Sequence, residues 1–455
     1  MPLAAGIFRQ YDIRGVVGDD LTTEAAGAIG RAFAAYLARH GVRRPVAVGR
    51  DNRPSGQGLR DALVAGLTAC AVDVIDIGVV PTPLLYWSLS HLDVGAGIQI
   101  TGSHNPPEYN GFKICLGTES VHGEEIQELY RLASGTQFPS GDGAVRHETV
   151  IDRYIDDILR RTGTLARPPR VVIDCGNGAG ALVAPSLFKR VLTDVKCLFC
   201  ESDGTFPNHH PDPTVLENLE PLIGEVTRGG YDFGVAFDGD ADRIGVVDRS
   251  GGVIWGDYLL ILYARDVLAR TGKDQPIIFD VKCSQALPDA VAKAGGRPVM
   301  WKTGHSLIKG KMKELGAPIA GEMSGHMFFS ESFYGHDDAL YGAARLLRII
   351  ADSGRSIGEL LSDVPRFVST PELRVDVPEE RKFAIVEAAV RHFRQTHDVI
   401  DVDGARVLFG DGWGLIRASN TQPVIVARYE AANPERLAEI RGEMEGWLRE
   451  QGVRV

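Results

Sequence analysis

Short apolar runs, each closed by an aspartate and followed by a turn and a longer mixed stretch, recur through the first four-fifths of the chain. Pro45-Val46-Ala47-Val48-Gly49 predicts a buried strand, Arg50-Asp51-Asn52-Arg53-Pro54-Ser55-Gly56 a turn, and residues 59–69 a helix. The pattern returns at Arg170-Val171-Val172-Ile173-Asp174, with a glycine-rich turn over 175–180 and a helix over 184–189. It returns again at Pro276-Ile277-Ile278-Phe279-Asp280, with a helix over 284–293. The copies lie about one domain length apart, roughly 100–150 residues. The chain therefore reads as three divergent copies of one α/β domain, with functional loops at the carboxyl ends of the strands.

Near residue 367 the pattern changes. Strands are predicted over 370–377, 406–409, 414–417 and 424–430, flanked by helices over 379–395 and 434–450. This is a smaller α+β domain. The expected division is 1–147, 148–253, 254–366 and 367–455, three similar α/β domains with mixed sheets plus a C-terminal α+β domain.

Composition narrows the function. A hydrophobic share of 44% and a charged share of 24% over 455 residues are those of a globular protein with several cores. No apolar run approaches the ~18 residues of a membrane span. The start, Met1-Pro2-Leu3-Ala4-Ala5-Gly6, has no signal-peptide pattern, so a cytoplasmic protein with no membrane partner is expected. A net charge of −11 argues against nucleic-acid binding, which needs a basic footprint. Cys70, Cys115, Cys175, Cys197, Cys200 and Cys283 read as reduced core residues. The C-x-x-C spacing of Cys197 and Cys200 lacks the second pair that a zinc site requires.

Four stretches carry candidate chemistry. In Thr101-Gly102-Ser103-His104-Asn105-Pro106-Pro107 a strand predicted over 94–100 runs into two prolines, which put Ser103 on a rigid, exposed turn. Asn110-Gly111-Phe112-Lys113 returns a lysine to the same neighbourhood. A nucleophile is one reading and a proline-stiffened surface loop the other. A serine-hydrolase triad does not fit, because His104 is adjacent in sequence and no G-x-S-x-G elbow surrounds the serine. A strand over 231–237 enters Asp238-Gly239-Asp240-Ala241-Asp242-Arg243. Alternate residues of an extended segment point one way, so three carboxylates converge. All-oxygen ligands with open positions suit Mg²⁺. An EF-hand fails, since its sixth position is Arg243 rather than Gly and its twelfth Arg249 rather than Glu.

The other two stretches carry hydrogen-bonding side chains. Gly321-Glu322-Met323-Ser324-Gly325-His326 offers groups suited to hydroxyls. Arg417-Ala418-Ser419-Asn420-Thr421-Gln422-Pro423 joins a guanidinium to small polar residues, a phosphate cradle. Either could also be an ordinary polar loop. Gly176, Gly178 and Ala181, with Glu201 beyond, fit a loose dinucleotide-binding pattern and hence a nicotinamide or flavin enzyme. That reading leaves the Ser103 and aspartate loops unexplained.

Taken together and in order, T-G-S-H-N-P-P with N-G-F-K, D-G-D-A-D-R, G-E-M-S-G-H and R-A-S-N-T resemble the α-D-phosphohexomutase superfamily, closest to its bacterial phosphomannomutase/phosphoglucomutase branch. The resemblance spans essentially the whole chain. It implies four domains around one central cleft, a phosphoserine at Ser103, and Mg²⁺ held by Asp238, Asp240, Asp242 and the seryl phosphate. It implies phosphoryl transfer between C1 and C6 of glucose or mannose phosphates, with glucose 1,6-bisphosphate as activator and intermediate. By the same analogy Lys113 moves a proton, His104 supports the loop, and Arg14 and Arg243 supply positive charge. Tyr11, Lys282, His305, Glu322, Ser324, His326, Arg417, Ser419, Asn420 and Thr421 would contact substrate. A monomer acting on small hexose phosphates is expected. Phosphoglucosamine mutase is the neighbouring alternative, and Met323 between Glu322 and Ser324 favours the glucose/mannose branch. A non-catalytic sugar-phosphate sensor is the remaining one.

Overall fold

The computed structural model describes residues 3–192, 194–420 and 422–455. The chain falls into two compact units, Met1–Leu259 with Ser324–Leu360, and Leu260–Met323 with Leu361–Val455.

The first unit holds two mixed sheets. In one, Val46–Arg50 lies parallel to Val74–Val79 and Ala96–Ile100. Tyr109–Leu116 returns antiparallel beside Ala96–Ile100, and Ile13–Val16 closes that edge. The buried residues of these strands, Val46, Val48, Ile98, Ile100 and Phe112, form one core with Phe33 and Tyr36 of the helix Thr23–Arg39. That helix starts where Thr22 accepts from the Ala25 backbone at 3.2 Å, an N-cap worth about 1 kcal/mol. The second sheet sets Phe233–Phe237 parallel to Val171–Asp174, which is parallel to Val195–Leu198. Ile244–Asp248 and Val253–Ile254 complete it antiparallel.

In the second unit Pro276–Asp280 lies parallel to both Arg297–Trp301 and Ile319–Gly321. The three expected copies thus share a parallel strand core. The same unit carries an antiparallel sheet centred on Val424–Ala431 and Gly412–Ala418. The helices Glu379–Phe393 and Pro434–Glu450 bury Ala389, Phe393, Met444 and Leu448 against it. Pro434 opens its helix, and Asn433 caps it by accepting from Arg436 at 2.8 Å. The single strand expected over 370–377 is two, Val368–Ser369 and Leu373–Asp376, both paired with Val424–Ala431. Pro371 lies between them and has no N–H for the ladder. No helix among the described residues is long and apolar enough to cross a membrane.

Candidate active site

Ser103 follows the strand Ala96–Ile100, and the chain turns there with φ 51°, a left-handed conformation that non-glycine residues adopt at a cost of about 1–3 kcal/mol. The sequence predicts an exposed turn, but Ser103 is 3% exposed. The reason lies 50 residues earlier. Arg53, itself buried, donates to the carbonyl oxygens of Ser103 at 2.6 Å, Asn105 at 2.7 Å, Pro106 at 2.5 Å and Tyr109 at 3.1 Å. Asp51 pairs with the Arg53 Nε at 3.0 Å and accepts from Thr101 Oγ1 at 2.8 Å and the Gly102 backbone at 3.2 Å. On the other side Gly239 packs so close that a Cβ there would meet the Ser103 carbonyl oxygen at 2.4 Å. The loop is clamped by contacts that its own seven residues do not contain.

The aspartate loop joins Phe233–Phe237 to Ile244–Asp248. Its carboxylates converge, though not by the alternation of an extended segment. Ala241 has φ 58°, its N–H returns to the Asp238 carbonyl at 3.0 Å, and Asp238 Oδ1 accepts from the backbones of Asp242 and Arg243 at 3.0 and 3.1 Å. The chain wraps around its first carboxylate instead of running past it. Asp238, Asp240 and Asp242 are fully buried, with one oxygen from each within 4.8 Å of the others. Two such charges at 4 Å repel by ~4 kcal/mol at an effective dielectric of 20. The Lys113 ammonium partly offsets this, at 2.8 Å from Asp240 Oδ2 and in contact with Asp242 Oδ2. Burial alone would lower the Lys113 pKa, but Asp240 and Asp242 outweigh it and raise it. Burial, then Asp242 and Asp240, push the Asp238 carboxyl well up. The Lys113 ammonium pairs with Asp240 and Asp242 through their Oδ2 atoms, while Asp240 Oδ1 and Asp242 Oδ1 are buried without a hydrogen bond. Buried oxygen-only donors with open valences fit a hard divalent cation such as Mg²⁺.

These two loops meet at the serine. Ser103 Oγ lies 3.3 Å from Asp238 Oδ2 and 3.1 Å from His104 Nδ1. Burial, then Arg243 and Arg14, hold the His104 pKa well below the ordinary imidazole range. Arg14 donates to Asn105 Oδ1 at 2.9 Å and pairs with Asp12. Arg243 donates from Nε to His326 Nε2 at 2.9 Å and lies 4.0 Å from Asp238 Oδ2. His326 Nδ1 is 3.2 Å from Asp337 and 3.5 Å from Asp242. Thus Ser103, His104, Lys113, Arg14, Arg243, the three aspartates and His326 form one cluster. Tyr11 and Ser324, both half-buried, belong to the same unit.

The second unit gathers the other expected residues. Lys282 reaches Glu372 at 3.0 Å and lies 3.9 Å from Asp280. Glu322 accepts from the Gly304 backbone at 2.6 Å, one residue before the helix His305–Leu315. Asp280 accepts from the Met323 backbone and from Thr303 Oγ1, both at 3.0 Å. Asp403 accepts from the Thr303 backbone and from Arg417 Nε, also both at 3.0 Å. Two aspartates therefore tie together the loops that carry His305, Glu322 and Arg417. Ser419 Oγ accepts from the Gln422 backbone at 3.2 Å, and Asn420 is half-buried beside it. Thr421 lies outside the described residues.

Sequence reasoning missed Arg53, Asp337, Glu372 and Asp403. The strand-closing aspartates Asp51, Asp174 and Asp280 were a usable signal, since each accepts backbone N–H groups of the loops above it. The dinucleotide pattern has another cause. A Cβ on Gly178 would meet the Gly239 carbonyl oxygen at 2.7 Å, and Ala179 donates to that oxygen at 2.8 Å. The glycine admits a neighbouring backbone where a pyrophosphate would have to pass.

Models of the phosphoglucomutase/phosphomannomutase family match in chain order: alpha/beta/alpha domain I over 5–139, domain II over 152–252, domain III over 255–367, and the C-terminal domain over 372–446. The chain is 49% identical over 441 residues to a phosphomannomutase/phosphoglucomutase of Pseudomonas aeruginosa, covering 96% of this chain and 94% of the relative. It is 46% identical over 430 residues to a phosphoglucomutase of Neisseria gonorrhoeae, covering 93% of each. A crystal structure of a phosphoglucomutase/phosphomannomutase family protein from Burkholderia thailandensis superposes with a TM-score of 0.91 at 42% identity, covering 98% of each chain. With four family domains in order and near-half identity along its length, the chain belongs to the phosphoglucomutase/phosphomannomutase family and is a hexose-phosphate mutase, an isomerase.

Proposed function

We propose that Ser103 carries the phosphoryl group and exchanges it with C1 and C6 of glucose or mannose phosphates through a hexose 1,6-bisphosphate. The observation that carries this reading is the setting of the Ser103 hydroxyl. It is buried against Asp238 at 3.3 Å and His104 at 3.1 Å, with Lys113, Arg14 and Arg243 around it. Phosphate monoesters react extremely slowly unaided, and their transfer is helped by positioning and by cationic neighbours more than by a strong base. Mg²⁺ held by Asp238, Asp240, Asp242 and the seryl phosphate would neutralise charge on the transferring phosphoryl group.

The rest is the work of the chain. In the first half-reaction a sugar hydroxyl oxygen attacks the seryl phosphorus, and the P–Oγ bond breaks as the new P–O bond forms. Lys113 is the group proposed for proton transfer, its ammonium giving a proton to the freed Ser103 oxygen and taking the sugar hydroxyl proton in its place, while His104, within hydrogen-bond distance of Oγ, supports the loop. Arg14 and Arg243 stabilise the equatorial oxygens. The bisphosphate then turns end over end and returns its other phosphoryl group to Ser103. Arg417, Ser419, Asn420 and Thr421 hold the phosphate that is not reacting, while Lys282, His305 and Tyr11 line the sugar. The four domains are assigned to 1–147, 148–253, 254–366 and 367–455.

Glu322, Ser324 and His326 are assigned to the sugar hydroxyls. O3 and O4, both equatorial in glucose and mannose, exchange places when the intermediate turns, whereas the C2 hydroxyl has no equivalent partner. A coupled mutase assay with and without added glucose 1,6-bisphosphate tests this. Glucose 1-phosphate and mannose 1-phosphate should differ by less than about tenfold in kcat/KM, ~1.4 kcal/mol. Galactose 1-phosphate, inverted at C4, should be far poorer, by as much as ~10⁴-fold. Equal turnover of galactose 1-phosphate would remove the role given to Glu322, and strong rejection of mannose the loose reading of C2.

A further inference from the structure

The thiols of Cys175 and Cys200 stand apart from the phosphoryl chemistry, yet they sit beneath the loops that frame it. Cys175 directly follows the strand Val171–Asp174, and Cys200 lies two residues past its parallel neighbour Val195–Leu198. Adjacent parallel strands end side by side, and the Cys175 backbone donates to the Leu198 carbonyl at 3.1 Å. The two sulfurs are 2.9 Å apart. A disulfide needs ~2.05 Å, so a shift of under ~1 Å closes the bond. Cys175 is fully buried, whereas Cys200 and Cys197 are half-buried and within reach of solvent. Hydrogen bonding from Cys175 pulls the Cys200 thiol down in pKa against its burial, while burial pushes Cys175 well up. The pair thus consists of an accessible attacking sulfur and a buried resolving one.

The two turns above these sulfurs are zipped together. Asn177, at φ 58°, donates its backbone N–H to Phe199 O at 2.8 Å and its side chain to Glu201 O at 2.9 Å. Asn52, next to Arg53, donates to Asn177 O at 2.7 Å and to Ser202 Oγ at 2.9 Å. Ala179 donates to Gly239 O at 2.8 Å. The hydrogen bonds of these two turns thus extend to Asn52, beside Arg53, and to Gly239 of the aspartate loop.

We propose that Cys175 and Cys200 are a reversible dithiol–disulfide site for hydroperoxides, and that closing the bond slows the mutase by shifting the Asn177 turn. The Cys200 thiolate attacks one peroxide oxygen, the O–O bond breaks, and Cys200 becomes a sulfenic acid as hydroxide leaves. The Cys175 sulfur then attacks Cys200 sulfur, the S–O bond breaks, and the hydroxyl departs as water with the Cys175 proton. Two thiols lose two electrons in all, and the peroxide gains them. A dithiol reductant reverses the bond by exchange.

The test uses the full chain, reduced, freed of reductant and treated with hydrogen peroxide, then alkylated and digested without reduction for mass mapping. The expected product is a peptide pair linked through Cys175 and Cys200, present also in Cys197→Ser and absent from Cys200→Ser. Mutase turnover of the treated wild type and of Cys197→Ser should fall at least threefold and return with dithiothreitol, whereas Cys200→Ser keeps its rate. A Cys197–Cys200 link, or Cys200 oxidised to the sulfinic acid without a link, overturns the site. A linked chain with unchanged turnover overturns its coupling to the mutase. The mapping is independent of the mutase assay, so the two failures are distinguishable.

Discussion

The Arg53 guanidinium reaches the carbonyl oxygen of Ser103 at 2.6 Å, although 50 residues separate them in the chain. Through this contact and three further carbonyls, Arg53 holds the only described turn that presents Ser103, and Asp51 neutralises its charge at 3.0 Å. The left-handed serine is kept by these partners.

Replacing Arg53 by lysine keeps the charge but cannot span four carbonyls, because a point ammonium lacks the planar fork. The expected outcome for Arg53→Lys is a fall in kcat of about 100-fold with a small change in KM, since ~1 Å of misplacement at the reacting atom costs that much. Arg53→Ala should also lose about 3–5 kcal/mol of stability, because Asp51 is left buried and unpaired. Steady-state kinetics and urea unfolding check both, and Arg53→Lys with unchanged kcat would count against the clamp.

The Lys282–Glu372 pair gives a pH dependence. Burial alone would raise the Glu372 carboxyl, but Lys282 and then Arg374 outweigh it and hold it at about 2, below its ordinary 4.5. A depressed carboxyl contributes stability that is present above the unfolded pKa and is lost as pH falls through the folded one. The contribution should therefore disappear between about pH 4.5 and pH 2, on the order of 3 kcal/mol. Unfolding of Glu372→Gln followed across this range should lack that part of the acid loss. A variant whose stability falls in parallel with wild type would show that the pair contributes nothing.

Arg417 is proposed to hold the non-reacting phosphate. Its Nε is bound to Asp403 at 3.0 Å, which orients the guanidinium. Losing a charge-assisted contact should cost ~1.5–3 kcal/mol, or about 10- to 150-fold in affinity. The KM for glucose 1-phosphate should rise by that factor in Arg417→Ala. An unchanged KM would reassign the phosphate.

The four loops were legible because each packs its chemistry into a handful of adjacent residues. The carboxylates of Asp238, Asp240 and Asp242 were expected to converge and do, but the route was misread. A strand alternation was expected, whereas Ala241 takes a left-handed turn that wraps the chain around Asp238. Burial of Ser103 was not legible, because it depends on Arg53 and Gly239, contributed from distant stretches. The helix over 434–450 was legible to the residue, since Asn433 and Pro434 mark its start. Asp403 and Glu372 were invisible for the opposite reason: each is a single carboxylate in an unremarkable loop, and only the fold supplies its partners.

The central claim is that Ser103 itself carries the phosphoryl group. Incubation of the purified chain with glucose 1,6-bisphosphate and Mg²⁺, followed by intact-mass measurement and peptide mapping, tests it most directly. The predicted result is a single phosphoryl adduct on Ser103, which disappears on adding excess glucose 1-phosphate and is absent from a Ser103→Ala chain that has lost turnover. A Ser103→Ala chain with wild-type turnover, or an adduct mapped to another residue, would contradict it.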